Sequence, residues 1–230
     1  MNNKVMKGNC ISVLNLDNNY RNLGSEYAVT NTGSNRISFK LIEQQEESNH
    51  LVIVLPGAGY TTQAPLLHFT TKLFYTKGFD VLHMNYTLSK QEVSVLSEDD
   101  FAKDVEFTID NAIKNKKYCN YYVVAKSIGT ITLGYLLNHT RLKEAKVVWL
   151  TPLLQRNDVF NAMVNNSNKG LCIIGDKDRC YIVDRYEKLK SNQNMKLKMI
   201  DGGNHNLELD GEPIKSIEVL KNIISVIDEF

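Results

Sequence analysis

From residue 51 onward the chain alternates short apolar runs with longer stretches of helical spacing. No other feature restricts its architecture as much. Strand-like segments, most of them apolar runs, occupy residues 51–55, 79–84, 121–124, 146–150, 171–175 and 196–200. Helical patterns or their end signals fill 64–77, 97–117, 130–137, 158–164, 181–189 and the segment opened by Pro213. A strand such as 51–55 that is apolar at every position, rather than at alternate ones, is expected to be covered on both faces. Strand and helix in strict succession predict a parallel sheet with helices on both sides. The expectation is therefore an α/β fold built on a mostly parallel, doubly wound sheet of about eight strands.

The helices carry their own punctuation. Ser97 precedes Glu98, Asp99 and Asp100, which suits the positive end of a helix dipole, and Lys114, Lys116 and Lys117 suit the negative end. Between them Phe101, Val105, Ile109, Ala112 and Ile113 make an apolar stripe. Leu67, Thr71 and Phe74 give the segment 64–77 its face, with Gly78 as the stop. The last helix is expected to bury Ile214, Ile217, Leu220, Ile224 and Ile227. Ahead of residue 50 the character differs. Residues 10–16 and 36–43 alternate apolar with polar, 27–30 is a shorter extended piece, and turns fall at 18–24 and 31–35. We read 1–49 as a strand meander with partly wet faces, and 50–230 as the alternating core of the same single domain.

Composition narrows the function. A net charge of +1 over 230 residues gives no reason to expect nucleic acid or an anionic membrane as partner. No stretch approaches membrane-spanning length, and residues 1–8 lack the apolar core of a signal peptide. Cys10, Cys119, Cys172 and Cys180 are scattered without a C-x-x-C, so free thiols are expected and zinc is not. A cytoplasmic protein without metal or cofactor fits these features. Nothing in the residues selects an oligomeric state.

The central apolar run, Tyr121-Tyr122-Val123-Val124, passes directly into Ala125-Lys126-Ser127-Ile128-Gly129 and then a helical stretch. Small residues on either side of Ser127 allow strand and helix backbones to approach, leaving the serine on a tight turn at a helix N-terminus. The plainer account makes Ser127 a simple helix cap. What decides between them is whether other strand ends supply partners. In doubly wound sheets ligands bind beyond the carboxyl ends of the strands. There the chain places Gly57-Ala58-Gly59, Ser127, Asp178 and His205, each after a different strand. A serine hydroxyl needs a base near neutral pH, which histidine supplies, and a carboxylate on the other ring nitrogen fixes the tautomer. Asp176 competes with Asp178 for the acid. Among the other histidines, His50 precedes its strand, His68 and His139 fall in or at the ends of helices, and His83 lies within a strand, where packing or a local hydrogen bond suits it better.

These loops resemble those of small lidless α/β-hydrolases of the serine esterase or dienelactone-hydrolase-like kind, along nearly the whole chain. The stretch 125–129 matches the family's G-x-S-x-G with Ala125 for the first glycine. Gly175-Asp176-Lys177-Asp178 is similar to its G-x-x-D acid loop, which favours Asp178. Gly202-Gly203-Asn204-His205 resembles its histidine loop. Pro56-Gly57-Ala58-Gly59 stands where the family has His-Gly-x-Gly, with Pro56 for the histidine. The resemblance implies Ser127, Asp178 and His205 as catalytic residues, and the backbone N–H groups of Ala58 and Ile128 as the oxyanion hole; the N–H of Gly59 or Tyr60 is the alternative to that of Ala58. It implies a small-molecule ester, thioester or lactone as substrate, with peptide bonds and acceptors other than water left open. Only residues 151–157 separate the run 146–150 from the next helix, too few for a lid domain. Two rival readings are a non-catalytic protein that binds a ligand or partner in the same cleft, and a nucleotide-dependent oxidoreductase. The second is disfavoured because Gly57-x-Gly59 is followed by Thr62 where a dinucleotide fingerprint has glycine. Lys126 is expected on the solvated rim, where it would favour anionic substrates.

Overall fold

The structure, a computed structural model, describes residues 25–28, 37–86, 88 and 97–230. The alternating segment 10–16 lies outside them. Strands are β1 (Ser25–Ala28), β2 (Ile37–Ile42), β3 (His50–Leu55), β4 (Asp80–Tyr86), β5 (Asn120–Lys126), β6 (Lys146–Leu150), β7 (Gly170–Gly175) and β8 (Met195–Ile200). Helices among the described residues are α1 (Pro65–Thr76), α2 (Glu98–Ile113), α3 (Gly129–Leu136), α4 (Asn157–Asn165), α5 (Val183–Leu189) and α6 (Pro213–Asp228). A short 3₁₀ turn, Thr140–Leu142, precedes β6.

Strands β2 to β8 form the body of the sheet, and the short β1 extends it, in the order β1-β2-β4-β3-β5-β6-β7-β8. Pairing is antiparallel at β1–β2 and β2–β4 and parallel everywhere else. The antiparallel margin is the described part of the expected meander. β5 sits in the middle, between β3 and β6. Among the described residues β8 is the outer strand at the other margin, paired to β7 alone, and Lys196 and Lys198 lie along it. Lysines on an outer strand discourage pairing with another chain.

The period of two along each strand sorts the core into two layers. Leu51, Ile53 and Leu55 of β3 face one way with Val123, Val147 and Trp149, and meet Val105 and Ile109 of α2 and Ile131 of α3. Val52 and Val54 face the other way with Val124, Val148 and Ile173, and meet Leu67 and Phe74 of α1 and Ile223 and Ile227 of α6. The strands are apolar at consecutive positions because both faces are covered. Ser97 does cap α2, its Oγ accepting from the Asp100 N–H at 3.4 Å. The C-terminal helix departs in part from the expected stripe. Ile214 and Ile217 are exposed, whereas Ile227 is buried and Leu220 and Ile224 pack against the core as expected; Ile223, outside the expected stripe, is buried as well. Ile214 and Ile217 belong to the N-terminal turns of the helix, and the residues packed on the core, Val219, Leu220, Ile223, Ile224, Val226 and Ile227, all follow them. Among the described residues no helix is long and apolar enough to cross a membrane.

Candidate active site

Four strand ends on one edge of the sheet build the site, those of β3, β5, β7 and β8. At the end of β5 the chain turns into α3 through Ser127, whose φ of 52° is one of three positive values on non-glycine residues among those described. A left-handed serine is strained by of order 1–3 kcal/mol and persists only where its surroundings hold it. Here the Ser127 N–H donates to Leu150 O at 3.0 Å, and the Ser127 carbonyl accepts from the Thr130 hydroxyl at 2.5 Å. Gly129 explains how the helix comes so close: a Cβ there would lie 2.5 Å from Leu55 O and 2.9 Å from Pro56 O. Only glycine lets the first turn of α3 press against the end of β3.

The loop after β3 is held from two sides. Tyr86 donates its hydroxyl to Pro56 O at 2.5 Å, and the Gly57 N–H donates to Tyr60 O at 3.0 Å. Gly57 borders the elbow closely, since a Cβ added to it would stand 3.5 Å from Ser127 Cβ. The N–H groups of Ala58 and Ile128 donate to no backbone carbonyl among the described turns and loops. Ile128 precedes the first residue of α3, so its N–H belongs to a helix start, where donors are left without intrahelical partners.

The ends of β7 and β8 carry Asp178 and His205 to the same place. His205 Nε2 lies 2.8 Å from Ser127 Oγ, and His205 Nδ1 lies 2.8 Å from Asp178 Oδ1. The electrostatics assign the protons. Burial pushes the Asp178 carboxyl up, but the His205 hydrogen bond, the Cys180 N–H and the charges of His205 and Lys126 outweigh it and hold the group below its ordinary value. An ionised carboxylate only accepts. Nδ1 therefore carries the hydrogen donated to Asp178, and Nε2 is left to accept from the serine hydroxyl. Asp176, the rival acid, is engaged elsewhere: its Oδ1 accepts from the Gly202 N–H at 2.7 Å. That bond ties the acid loop to the histidine loop. The two loops also touch backbone to backbone, since a Cβ on Gly175 would lie 1.9 Å from Gly203 O. The other histidines stand apart. His83 Nε2 is 2.7 Å from Thr71 Oγ1, His139 caps the 3₁₀ turn, and His50 rests against Phe79.

Three features were not legible beforehand. Lys126 is fully buried, not on the rim. β5 runs two residues further than its apolar run suggested, and a side chain within a central strand has no wet face. Tyr60 lies beneath the Lys126 ammonium, 4.6 Å from ring centroid to Nζ. Cys180, buried, brings a sulfur within 4.8 Å of ligand atoms on Asp178 and His205. Both ring nitrogens of His205 in that grouping are already engaged, with Asp178 and Ser127, and burial is the main cause that pushes the Cys180 thiol up to about 11. Cys172 is also a buried free thiol and Cys119 an exposed one.

Comparison with known proteins gives the fold. No protein-family model matches the sequence, and no curated protein matches it. Solved structures do match. A lidless α/β serine hydrolase from Xanthomonas campestris superposes with a TM-score of 0.65 at 13% identity, over 89% of this chain and 92% of its own. An esterase from Pyrococcus furiosus gives 0.66 at 16%, over 90% and 93%. Dienelactone hydrolase from Anabaena variabilis gives 0.64 at 14%, over 89% and 96%. The chain has the α/β-hydrolase fold.

Proposed function

We propose that this chain is a serine hydrolase that cleaves a carboxylic ester, thioester or lactone through an acyl-enzyme. Ser127 is the nucleophile, His205 the general base and Asp178 its carboxylate partner. The observation that carries the reading is the unbroken hydrogen-bonded line from Ser127 Oγ through the His205 ring to a buried carboxylate. It begins on a serine held at positive φ and half open to solvent. The solved structures that share the fold, among them an esterase and a dienelactone hydrolase, support the same class of chemistry.

In the first half-reaction Ser127 Oγ attacks the substrate carbonyl carbon as its proton passes to His205 Nε2. Asp178 stabilises the imidazolium across the Nδ1 bond. The carbonyl oxygen becomes an oxyanion, which the N–H groups of Ala58 and Ile128 would meet; one such donor is worth roughly 3 kcal/mol of barrier. The helix N-terminus behind Ser127 favours that charge as well. Collapse expels the alcohol or thiol, which takes the proton from Nε2. Water deprotonated at Nε2 then attacks the acyl-enzyme, and Oγ leaves with that proton. Every group needed belongs to the chain. Only residues 151–156 connect β6 to α4, so small or surface-accessible substrates suit the site.

The test is covalent labelling with a fluorophosphonate, comparing wild type with Ser127→Ala and His205→Ala. The expected outcome is one modified serine in wild type and none in either variant. A folded wild type that is not labelled, and does not hydrolyse a panel of short and long esters, would refute the reading and direct attention to the cleft as a binding site.

A further inference from the structure

A lysine inside a central strand calls for an explanation, because moving its charge out of water is strongly unfavourable. An apolar side chain would fill the same space between β3 and β6 without that penalty. Lys126 does something no apolar residue does. Its Nζ donates to His205 O at 2.7 Å and to Thr151 Oγ1 at 2.9 Å, and it sits over the Tyr60 ring. These partners come from three separate segments: the histidine loop after β8, the residue after β6, and the loop after β3. Thr151 is itself held at a φ of 44°. The cation adjoining the nucleophile thus binds the surrounding strand ends to the centre of the sheet. It also faces a carboxylate that needs it. Both hydrogen bonds to Asp178 arrive at Oδ1, and Oδ2 is buried with no hydrogen-bond partner. Attraction to Lys126 is among the influences that keep Asp178 ionised.

We propose that Lys126 is a positioning residue of this site: by holding the main-chain carbonyl of His205 it sets the imidazole at bonding distance from Ser127, while its charge balances the buried Asp178 carboxylate. The inference rests on the reading of Ser127 as nucleophile. Lys126 transfers no proton and touches no substrate. The ring and the pinned carbonyl hang on the same residue, so releasing one frees the other.

Burial lowers the Lys126 ammonium to about 8, against smaller opposing attractions from Asp178, Cys180 and Glu208. Burial and charge move three of the groups that face it away from that range. Tyr60 is raised above its usual value by burial, Cys180 is pushed up to about 11, and Asp178 lies below the usual carboxylate range. Glu208 is an exposed carboxylate. Loss of the Lys126 charge therefore gives an alkaline fall in activity that no other group facing it supplies.

The experiment uses Lys126→Met, which keeps length and bulk without charge or donor, and Thr151→Val, which removes one acceptor and leaves the His205 bond. Fluorophosphonate labelling rates and hydrolysis of p-nitrophenyl acetate are measured across about pH 6 to about pH 10. Lys126→Met is expected to lose roughly a hundredfold in kcat with KM nearly unchanged, the effect of about 1 Å of misplacement. Its profile lacks the fall near pH 8, whereas Thr151→Val stays within about threefold of wild type and keeps that fall. A folded Lys126→Met with wild-type kcat and an unaltered alkaline limb overturns the proposal while leaving the triad standing. Should that variant not fold, Lys126→Gln, which lacks the charge and the reach to His205 O, decides, since a wild-type kcat and labelling rate in it overturn the proposal equally. A wild type that is not labelled at all sinks the triad reading and this one with it.

Discussion

Replacing Gly175 by alanine puts a single methyl group between the acid loop and the histidine loop. Its Cβ would lie 1.9 Å from Gly203 O, 2.3 Å from Gly203 C and 2.8 Å from Gly203 Cα. Non-bonded heavy atoms settle near about 3.5 Å, so the two chains must part by roughly 1.5 Å. All three neighbours are backbone atoms, and no side chain can rotate aside to make room. The Lys177 N–H donates to that same Gly203 oxygen at 3.0 Å, and this bond is lost with the separation. Overpacking costs about 1–3 kcal/mol and the hydrogen bond about 1 more, so the variant should lose about 2–4 kcal/mol of stability. That loss appears as a lower urea midpoint with an unchanged slope. The effect on chemistry is larger in proportion. His205 follows Gly203 by two residues, and its two 2.8 Å bonds, to Ser127 and Asp178, point in opposite directions. A shift of about 1.5 Å cannot preserve both, and the labelling rate should fall by about a hundredfold or more under conditions where the variant is still folded. A Gly175→Ala protein with an unmoved midpoint and a labelling rate within about threefold of wild type would refute the argument. It would mean that the junction yields without carrying the histidine along.

Two further predictions concern carboxylates and a histidine outside the site. Asp178→Asn should reduce kcat by about 10⁴, because an amide can donate to Nδ1 and impose the wrong tautomer. Asp176→Asn keeps an acceptor for the Gly202 N–H and should stay within about tenfold; comparable losses in the two would undo the assignment of the acid. His83 is lowered to about 4, chiefly by burial, and is neutral in the native state at pH 7. The unfolded chain binds a proton there first, so stability is retained above about pH 6.5 and lost as pH falls from that value towards about 4. The loss approaches about 3 kcal/mol, and urea titrations of wild type and His83→Gln at several pH values check it, the variant being the less pH-sensitive.

The order of elements was legible because parallel strands buried on both faces leave uninterrupted apolar runs that helices separate. The loops that meet at the candidate site were legible because each strand end is punctuated by glycine or by a residue with chemistry, as in Gly175-Asp176-Lys177-Asp178 and Gly202-Gly203-Asn204-His205. Sequence reasoning failed where burial contradicts polarity or where polarity leaves a choice. Lys126 was assigned to solvent because charge belongs there by default, and the default ignores that β5 has a neighbour on either side. On α6 the expected Leu220, Ile224 and Ile227 do meet the core, and the two residues that do not, Ile214 and Ile217, lie in its N-terminal turns, where how far the helix covers the sheet is not recorded by any local pattern. The contact of Cys180 with the Asp178 loop lies between these cases: proximity in the chain was visible, and its orientation was not.

His205 and Ser127 occupy very different places in the sheet. Ser127 hangs from β5, with strands on both sides. His205 hangs from β8, the outer strand, and leads to a helix that buries only Ile223 and Ile227. Proteins open in parts, and margins with few buried contacts open at lower free energy than centres. Fraying of β8 with α6 would withdraw the imidazole and leave the serine in place but inert. Heat or urea should therefore extinguish turnover before the bulk of the sheet unfolds, and amide hydrogens of β8 should exchange sooner than those of β5. At that rim the Lys77–Asp228 ion pair and the Lys146 bond to Phe230 O hold the end of α6 and the residues after it.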